Sequence, residues 1–355
     1  MTILQVCAYA APYEGNFITS LKALAKKAAK KGHETIYAFP ETAREKDWCK
    51  ALGESTDVYF LPLAKARIKP ATYSKLKKIY KAHPDLGIIH CHFELYDIPV
   101  VMTAKKHVKV FWHLHDPIDS YNDSHNKLMY KIQYGLFHKK ATLLSVSEKY
   151  IDYIKTLGFP EKQTRFFPNA LALERINQVS KNYNEREYDF LLFGWDYERK
   201  GVDLCIEAYQ KLNMNLKIGI VAGENTINKI EAQYGPMKGI EIIEPTENVN
   251  ELYSKTRAFL QISRNETFSY ALLEAIYSGL PSVCTDTVGT LWAKDFSSVT
   301  MVKSGDVDSI ANGMRKVLER GSLLDEIIME NRRQVEDRYS IDMWADRLLI
   351  YYGIE

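Results

Sequence analysis

The sequence is poor in cysteine, and the five cysteines that it has are scattered. No two of them form a C-x-x-C pair, and their number is odd. Such a set does not fit a disulfide framework or a cysteine-rich metal site, and it is typical of proteins in a reducing compartment. We therefore expect free thiols and a cytoplasmic protein.

Long hydrophobic runs are also missing. No window approaches the ~18 apolar residues that a membrane-spanning helix needs. Residues 3–12 are apolar, but no basic residue precedes them, so we interpret them as a first buried strand rather than a signal peptide. The composition, with 46% apolar and 26% charged residues, is that of a soluble globular protein. A length of 355 residues suggests two domains.

A dinucleotide-binding fingerprint is absent as well. Residues 10–20 follow the first predicted strand and open the first helix, but they hold a single glycine, Gly15, instead of the G-x-G-x-x-G spacing. This absence argues against an NAD-dependent enzyme. Gly15 itself either lets the backbone approach a ligand closely or is an ordinary turn residue.

Charge is distributed unevenly, although the net charge of the chain is only +2. Residues 1–172 hold 26 basic and 16 acidic residues, a net +10, whereas residues 173–355 hold 21 and 29, a net −8. This asymmetry predicts that the first half meets an anionic surface. The basic residues lack the interleaved aromatic side chains of a recognisable nucleic-acid module, so we expect no nucleic-acid partner.

One basic segment, residues 65–83, has two interpretations. It is either an interfacial helix that meets anionic lipid or a solvated helix whose apolar face packs on the core. The apolar residues concerned are Tyr73, Leu76 and Tyr80, and the lysines around them are Lys75, Lys77, Lys78 and Lys81.

Short apolar runs alternate with helical patterns along the whole chain. Near-continuously apolar strands of this kind are typical of parallel sheets that helices cover on both faces. We predict an α/β protein with two doubly wound, Rossmann-like domains, residues 1–170 and 171–337, and a last helix within 338–355 that packs back on the first domain. Open parallel sheets bind ligands at the carboxyl ends of their strands, so a deep cleft between the domains is the expected site. The predicted strands are 2–9, 35–39, 58–63, 87–92, 108–114 and 142–147 in the first half, and 189–194, 216–223, 240–245, 258–263 and 282–285 in the second.

The segment 264-RNETFSYALLEAIYSGLP-281 places two glutamates around the start of a helix. Glu266 precedes the helix, Thr267 and Ser269 are both suitable N-cap residues, and Glu274 lies inside the helix. The N-terminus of a helix attracts an anion, and two carboxylates beside it could hold hydroxyl groups. A charged helix surface that binds nothing is the alternative interpretation.

A strand-to-helix turn earlier in the second half carries two cations. Arg199 and Lys200 precede Gly201, after the apolar run 190–194. Backbone amides and two cations at such a turn suit a diphosphate. Basic loop residues are common, and the turn gains specificity only from the helix of Glu266 and Glu274 that follows it.

Histidines occur only in the first 138 residues. His90 and His92 share one strand face by period-two spacing, and His113 and His115 share another. A metal site from these four is conceivable, but no carboxylate or cysteine stands at ligand spacing, and imidazoles at strand ends often serve as polar caps. We predict no metal, and we favour His115, which precedes Asp116, for contact with a sugar.

Together these segments resemble the retaining glycosyltransferases of family four, which have the GT-B fold. The E-x7-E element is formed by Glu266 and Glu274, and R-K-G stands upstream at 199–201. The likeness spans nearly the whole chain. Further matching pieces are G-H-E at 32–34, I-I-H-C-H-F at 88–93, His115 with Asp116, S-V-S-E-K-Y at 145–150, Pro168 with Asn169, and T-D-x-x-G at 285–289.

The resemblance implies a role for each matched position. Arg199 and Lys200 would neutralise the diphosphate of a nucleotide-sugar donor. Glu274 would hold the ribose hydroxyls, and Glu266 the hydroxyls of the donor sugar. His115 would touch the donor sugar. The remaining donor-binding positions would be Gly15 and Asn16 in the first domain, Gly194 before the R-K-G turn, and Phe268, Ser269 and Tyr270 at the start of the helix.

Three positions depart from the family pattern. Ser269 stands where many relatives have glycine, and Trp195 stands where many have arginine directly after the strand glycine. The second glycine of the first-domain loop is missing, since Glu14 precedes Gly15. These departures leave the identity of the donor sugar open more than the activity.

The resemblance implies a metal-independent hexosyltransferase that retains the anomeric configuration. Its donor would be a nucleoside-diphosphate sugar, with UDP the preferred nucleotide and no separate cofactor. Its acceptor would be a glycan or a lipid-linked molecule in bacterial surface polysaccharide synthesis, at the inner face of the cell membrane. Two alternatives are a catalytically silent GT-B protein that serves as an acceptor-binding or partner subunit, and a GT-B sugar-nucleotide epimerase.

Overall fold

The chain divides into two compact units. In a computed structural model, residues 1–115, 124–179, 181–246 and 248–354 are described. The first unit comprises Met1–Ala170 and Ile341–Glu355, and the second Leu171–Ser340.

The first unit is built around a parallel sheet of seven strands in the order β3-β2-β1-β4-β5-β6-β7. Its central strands are almost entirely buried because helices cover both faces. The strands are β1 (Thr2–Cys7), β2 (Glu34–Pro40), β3 (Val58–Leu61), β4 (Leu86–His92), β5 (Lys109–Leu114), β6 (Thr142–Ser145) and β7 (Thr164–Phe166). The helices that alternate with them are α1 (Gly15–Lys30), α2 (Asp47–Gly53), α3 (Pro70–Ala82), α4 (Asp97–Thr103), α5 (Ser124–Phe137) and α6 (Glu148–Thr156).

The second unit repeats this plan with a parallel sheet of six strands in the order β10-β9-β8-β11-β12-β13. Its strands are β8 (Tyr188–Phe193), β9 (Ile218–Val221), β10 (Ile240–Ile243), β11 (Thr256–Gln261), β12 (Ser282–Thr285) and β13 (Val299–Val302). Its helices are α7 (Val202–Leu212), α8 (Glu224–Tyr234), α9 (Val249–Ser254), α10 (Tyr270–Ser278), α11 (Val307–Arg320) and α12 (Asp325–Tyr339).

The last helix, α13 (Ile341–Tyr352), belongs to the first unit although it follows the second in the chain. Its Trp344 ring packs on Phe167, with ring centroids 5.6 Å apart. The sequence prediction placed the preceding boundary at residue 337. The structure places it after Ser340, because the Leu171 amide donates to the Tyr339 carbonyl at 2.7 Å and holds this stretch in the second unit.

The predicted doubly wound α/β class is confirmed, but two strands were missed. β7 is only three residues long and includes the exposed Arg165. β13 is a half-buried strand at the edge of the second sheet. Neither presents the long apolar run by which buried strands are recognised.

Residues 70–82 of the basic segment form α3, whose apolar face is buried. Leu76, Ile79 and Tyr80 point into the core, whereas Lys77 and Lys78 are exposed. This packing is that of a solvated amphipathic helix. In the described part of the chain, no helix combines the length and the apolar character needed to cross a bilayer.

Candidate active site

In the second unit, three loops meet at the carboxyl edge of the sheet, where the strand order reverses. They follow β8, β11 and β12, which are adjacent in the sheet although β9 and β10 lie between β8 and β11 in the chain. A reversal of strand order leaves a crevice in which open α/β sheets bind their ligands.

At this edge Lys200 and Glu266 form a buried ion pair. The distance from Lys200 Nζ to Glu266 Oε2 is 2.7 Å, and the exposed fractions of the two residues are 9% and 8%. Arg199 Nη1 lies 3.7 Å from the other carboxylate oxygen of Glu266. The structure therefore brings together three residues that the sequence nominated from segments more than sixty residues apart.

The turn that carries these cations is fixed by close backbone packing. Gly201 has φ +71°, and a Cβ at this position would lie 2.4 Å from the carbonyl oxygen of Ile262. The Arg264 amide donates to the carbonyl of Arg199 at 2.8 Å. The Arg264 guanidinium donates hydrogen bonds to both carboxylate oxygens of Asp203, at 2.7 and 2.6 Å. The loop after β8 is thus tied to the loop after β11.

Trp195, which the sequence flagged only as a departure, supports the two cations. The Arg199 guanidinium carbon lies 4.3 Å from the indole ring centroid, and Lys200 Nζ lies 5.2 Å from it. The indole is 61% exposed, so it forms a cation–π platform at the rim of the site.

Helix α10 begins beside the Lys200–Glu266 pair, with Ser269 as its N-cap. The Ser269 hydroxyl accepts from the Leu272 amide at 3.2 Å and donates to Gln261 Oε1 at 2.6 Å. The positive end of the helix dipole therefore faces the loop that carries Glu266. The helix continues from Tyr270, and the preceding Phe268 is buried and stacks on Trp292 at 5.2 Å.

Glu274 lies farther along α10 and is half-buried. Its carboxylate accepts a hydrogen bond from the Tyr253 hydroxyl at 3.0 Å. Burial raises the pKa of Tyr253, and the charge of Glu274 raises it further. Tyr253 is therefore a permanent donor that orients the carboxylate, and sequence reasoning missed it because the two residues lie on different helices.

Two glycines of the site are required for packing. A Cβ on Gly289 would lie 2.2 Å from the Glu266 carbonyl oxygen, so the loop after β12 can pack on the Glu266 segment only with glycine at this position. A Cβ on Gly194 would lie 2.8 Å from Val202 Cγ2 and 2.9 Å from Ile220 Cγ2.

In the first unit, the nominated residues again stand at the carboxyl edge of a sheet. Gly15 follows β1 and begins α1 with φ +59°, and Asn16 is buried beside it. His115 follows β5 and is 8% exposed. The Phe17 ring lies edge-on to His115, with centroids 5.5 Å apart. The neighbouring Asp116, which the sequence paired with His115, lies outside the described residues.

His115 is the outer end of a buried hydrogen-bonded chain. His115 Nε2 lies 3.1 Å from His92 Nδ1, and His92 Nε2 lies 3.0 Å from Gln5 Oε1. The Gln5 amide donates to the Tyr352 hydroxyl at 3.1 Å, and that hydroxyl lies 2.7 Å from His90 Nδ1. Since Gln5 Oε1 accepts, His92 carries its proton on Nε2, and His115 must donate through Nε2.

The imidazoles in this hydrogen-bonded chain of side chains are neutral in the folded protein. Burial lowers the pKa of His115 well below its usual range, and His113 and His92 lower it further, while Asn169 opposes them. Burial also lowers the pKa of His92. His115 therefore offers a neutral imidazole at the sheet edge, in a tautomer that α13 fixes through Tyr352.

The same cluster offers the only candidate metal ligands found among the described residues. Ring nitrogens of His90, His92 and His113 lie within 4.8 Å of one another. Both ring nitrogens of His92 are already hydrogen-bonded, whereas His90 Nε2 and His113 Nδ1 have no hydrogen-bond partner. The absence of a metal therefore stays a prediction.

Two family models match the chain, one on each half. The model described as Glycosyltransferase Family 4 matches residues 19–175, and the model described as Glycosyl transferases group 1 matches residues 174–334. An uncharacterized glycosyltransferase of Methanocaldococcus jannaschii is 23% identical over 62% of this chain and 60% of its own length. The lipopolysaccharide glucosyltransferase WaaG of Escherichia coli is 30% identical over 36% of this chain and 35% of its own length. The match thus spans less than two thirds of either curated relative.

Solved structures share the fold over nearly the whole chain. A glycosyltransferase from Rickettsia africae superposes with a TM-score of 0.80 at 15% identity, over 99% of this chain and 97% of that one. HepE from Anabaena, in complex with UDP and glucose, superposes with a TM-score of 0.77 at 13% identity, over 99% of each chain. At such low identity these similarities establish the GT-B fold.

Proposed function

We propose that this chain, a family-4-like glycosyltransferase with the GT-B fold, transfers a sugar from a nucleoside-diphosphate sugar to an acceptor hydroxyl. The observation that carries the proposal is the buried Lys200–Glu266 pair, with Arg199 beside it, at the start of α10. This arrangement supplies cations and a helix dipole for a diphosphate, together with a carboxylate that accepts hydrogen bonds from sugar hydroxyls.

In the proposed reaction the protein stabilises the departing diphosphate. Negative charge grows on the phosphate oxygen as its bond to the anomeric carbon breaks, so Lys200, Arg199 and the α10 dipole stabilise the transition state more than the ground state. Glu274, held by Tyr253, is assigned to the ribose hydroxyls, and Glu266 to the donor sugar. These groups take the place of a metal ion, so the proposed reaction needs none.

Retention is proposed to follow from attack on the face that the leaving group occupies. The acceptor oxygen bonds to the anomeric carbon as the bond to the phosphate breaks, and the acceptor proton moves to the departing phosphate oxygen. No protein base is assigned. On the first unit, Gly15, Asn16 and the neutral His115 are assigned to contact with the donor sugar and the acceptor.

UDP is the first nucleotide to test, because HepE from Anabaena binds UDP and glucose in its crystal structure. A glycan or lipid-linked acceptor in bacterial surface polysaccharide synthesis is proposed, since one relative is a lipopolysaccharide glucosyltransferase. A peripheral place on the cytoplasmic face of the membrane is proposed from the net +10 of residues 1–172.

The experiment is a thermal-shift panel of UDP, GDP, ADP and their sugar conjugates without divalent metal. A ligand at ~100 times its dissociation constant adds about 2.7 kcal/mol to stability. Wild type is compared with Glu274→Ala and with Glu319→Ala, a control at an exposed position on α11. Stabilisation by one nucleotide that shrinks only in Glu274→Ala supports the donor site.

The same panel separates the alternatives. If no nucleotide raises the melting temperature, the result contradicts the transferase proposal and favours a silent partner subunit. A nucleotide-sugar shift followed by inversion of a sugar carbon, with no transfer to an acceptor, favours an epimerase. Product analysis by NMR distinguishes sugar transfer from epimerisation and gives the anomeric configuration of any transferred sugar.

A further inference from the structure

The first unit carries a second polar feature, at the edge of its sheet opposite His115. Three loops lead into β5, β6 and β7, which are neighbours in the sheet. These loops and the strand residues next to them bring seven basic residues to this edge of the sheet, around a pocket of about 810 Å³. We call this feature the cationic pocket, and its seven basic residues are Lys105, Lys106 and Lys109, Lys139 and Lys140, and Lys162 and Arg165.

The charges of the cationic pocket have no acidic partner among the described residues. Within that part of the chain, no carboxylate lines the pocket. Among the described residues, no carboxylate lies within salt-bridge distance of its lysines, and the Arg165 guanidinium donates to the backbone carbonyls of Glu161 and Thr164. Other lysines of the same unit are paired, for example Lys22 with Glu14 and Lys75 with Glu41. Seven basic side chains around one concavity, with no carboxylate paired to them in the described part of the chain, focus a positive potential there.

The floor of the pocket is apolar. Val108, Val110 and Phe111 line it and are buried. The Tyr351 ring from α13 stands at its rim and is 38% exposed. Lys109, at the start of β5, also lines the pocket and donates to the carbonyl of Tyr352 at 2.8 Å. A concave apolar floor under a ring of cations suits a ligand with several phosphates on a less polar body.

The pocket is separate from the residues assigned to the transfer reaction. β5 runs from Lys109 at the pocket to Leu114, next to His115. At about 3.3 Å per residue, the two ends of this segment are roughly 20 Å apart. A ligand in the pocket therefore leaves His115 uncovered.

We propose that the cationic pocket is a second binding site, which takes a ligand with clustered phosphate groups. The ligand is either a soluble phosphorylated molecule or the headgroups of anionic lipids, because both present the same chemistry. The site goes beyond the proposed donor site and uses none of its residues.

The test measures binding of sodium tripolyphosphate to the full chain by calorimetry at low ionic strength. Wild type is compared with Lys105→Ala/Lys139→Ala and with Lys26→Ala/Lys30→Ala, which removes the same charge from exposed positions on α1. We expect the pocket variant to lose on the order of tenfold or more in affinity, because two charge-assisted contacts disappear. The α1 variant should bind as wild type does. Any tripolyphosphate held at Lys200 is unaffected by either variant.

A second arm uses sedimentation with vesicles of phosphatidylglycerol and phosphatidylcholine. If the pocket variant loses vesicle binding but keeps tripolyphosphate binding, the phosphates are assigned to lipid headgroups. If it loses tripolyphosphate binding but keeps vesicle binding, they are assigned to a soluble ligand. Equal losses in both variants, or no binding of either probe by wild type, overturn the proposal. The UDP thermal shift should be unchanged in the pocket variant, so failure here is distinguishable from failure of the donor site.

Discussion

Lys200 Nζ lies 2.7 Å from Glu266 Oε2, and this contact joins the residue assigned to phosphate with the residue assigned to the sugar. Without a donor, each charge is the main partner of the other in a buried setting. A bound diphosphate would compete for Lys200, and the Glu266 carboxylate would become available to a sugar hydroxyl. The pair therefore keeps both groups oriented before the donor arrives, as expected of a preorganised site.

Lys200→Met should lower the free energy of unfolding by about 2–4 kcal/mol, because it leaves the buried Glu266 with only the more distant Arg199 as a cationic partner. Lys200→Met/Glu266→Gln should recover most of this loss but should not recover donor binding. Urea unfolding measures the first effect and the UDP thermal shift the second. Lys229→Met, which breaks the exposed pair with Glu198, should cost under about 1 kcal/mol. A loss no larger than this control would contradict the buried-pair interpretation.

Tyr253→Phe and Glu274→Ala should separate orientation from direct binding. Glu274→Ala removes the proposed ribose ligand and should weaken UDP binding by at least ~10-fold. Tyr253→Phe keeps the carboxylate and removes only its 3.0 Å hydrogen bond, so the loss should be severalfold smaller. Titration calorimetry with UDP measures both. Equal losses of UDP affinity in the two variants would contradict a direct contribution of Glu274 that exceeds the effect of its hydrogen bond to Tyr253.

The buried histidines should make the protein sensitive to acid. Burial lowers the pKa values of His90, His92, His113 and His115, and that of His113 falls to about 3. Below pH ~6.5 the unfolded chain binds protons that the folded chain does not, so the stability present above this pH is lost as the pH falls. Each histidine contributes up to about 1.4 kcal/mol per pH unit.

Urea unfolding between pH 7.5 and 5 checks this expectation. In His113→Gln, the slope of the unfolding free energy against pH should be shallower by the amount that about one bound proton contributes. A flat profile between pH 6.5 and 5 would show that the imidazoles are charged in the folded protein and would contradict the neutral assignment of His115.

The predicted independence of metal can be tested on the same cluster. Donor binding and transfer should persist in excess EDTA, because Lys200, Arg199 and α10 supply the positive charge at the diphosphate. The contrary case predicts that zinc raises the melting temperature of wild type and not of His90→Gln/His113→Gln, since these two residues hold the unpartnered ring nitrogens. Loss of transfer in EDTA that zinc restores would show the no-metal prediction to be wrong.

The sequence predicted those features of the site that depend on neighbours in the chain. Thr267 and Ser269 were both predicted as N-cap residues because capping chemistry is local, and Ser269 forms the cap of α10. The Tyr253–Glu274 hydrogen bond and the Gln5–Tyr352 contact, 347 residues apart, could not be read from any spacing. The sequence pattern did not predict the cationic pocket, for a related reason. Its basic residues come two or three at a time from three separate stretches of the chain, and the order of β5, β6 and β7 in the sheet brings them together.

Gly289→Ala offers a purely steric test of the site. The added Cβ would lie 2.2 Å from the Glu266 carbonyl oxygen and 2.3 Å from the Thr267 carbonyl carbon, both backbone atoms, so the Glu266 segment must shift. We expect a loss of about 1–3 kcal/mol in unfolding free energy, with weaker donor binding because Glu266 and Ser269 move together. Gly223→Ala is the matched control, since a Cβ there meets no atom within 4 Å. If Gly289→Ala lowers stability and leaves UDP affinity unchanged, the loop after β12 supports the fold alone, and Glu266 is not positioned through it.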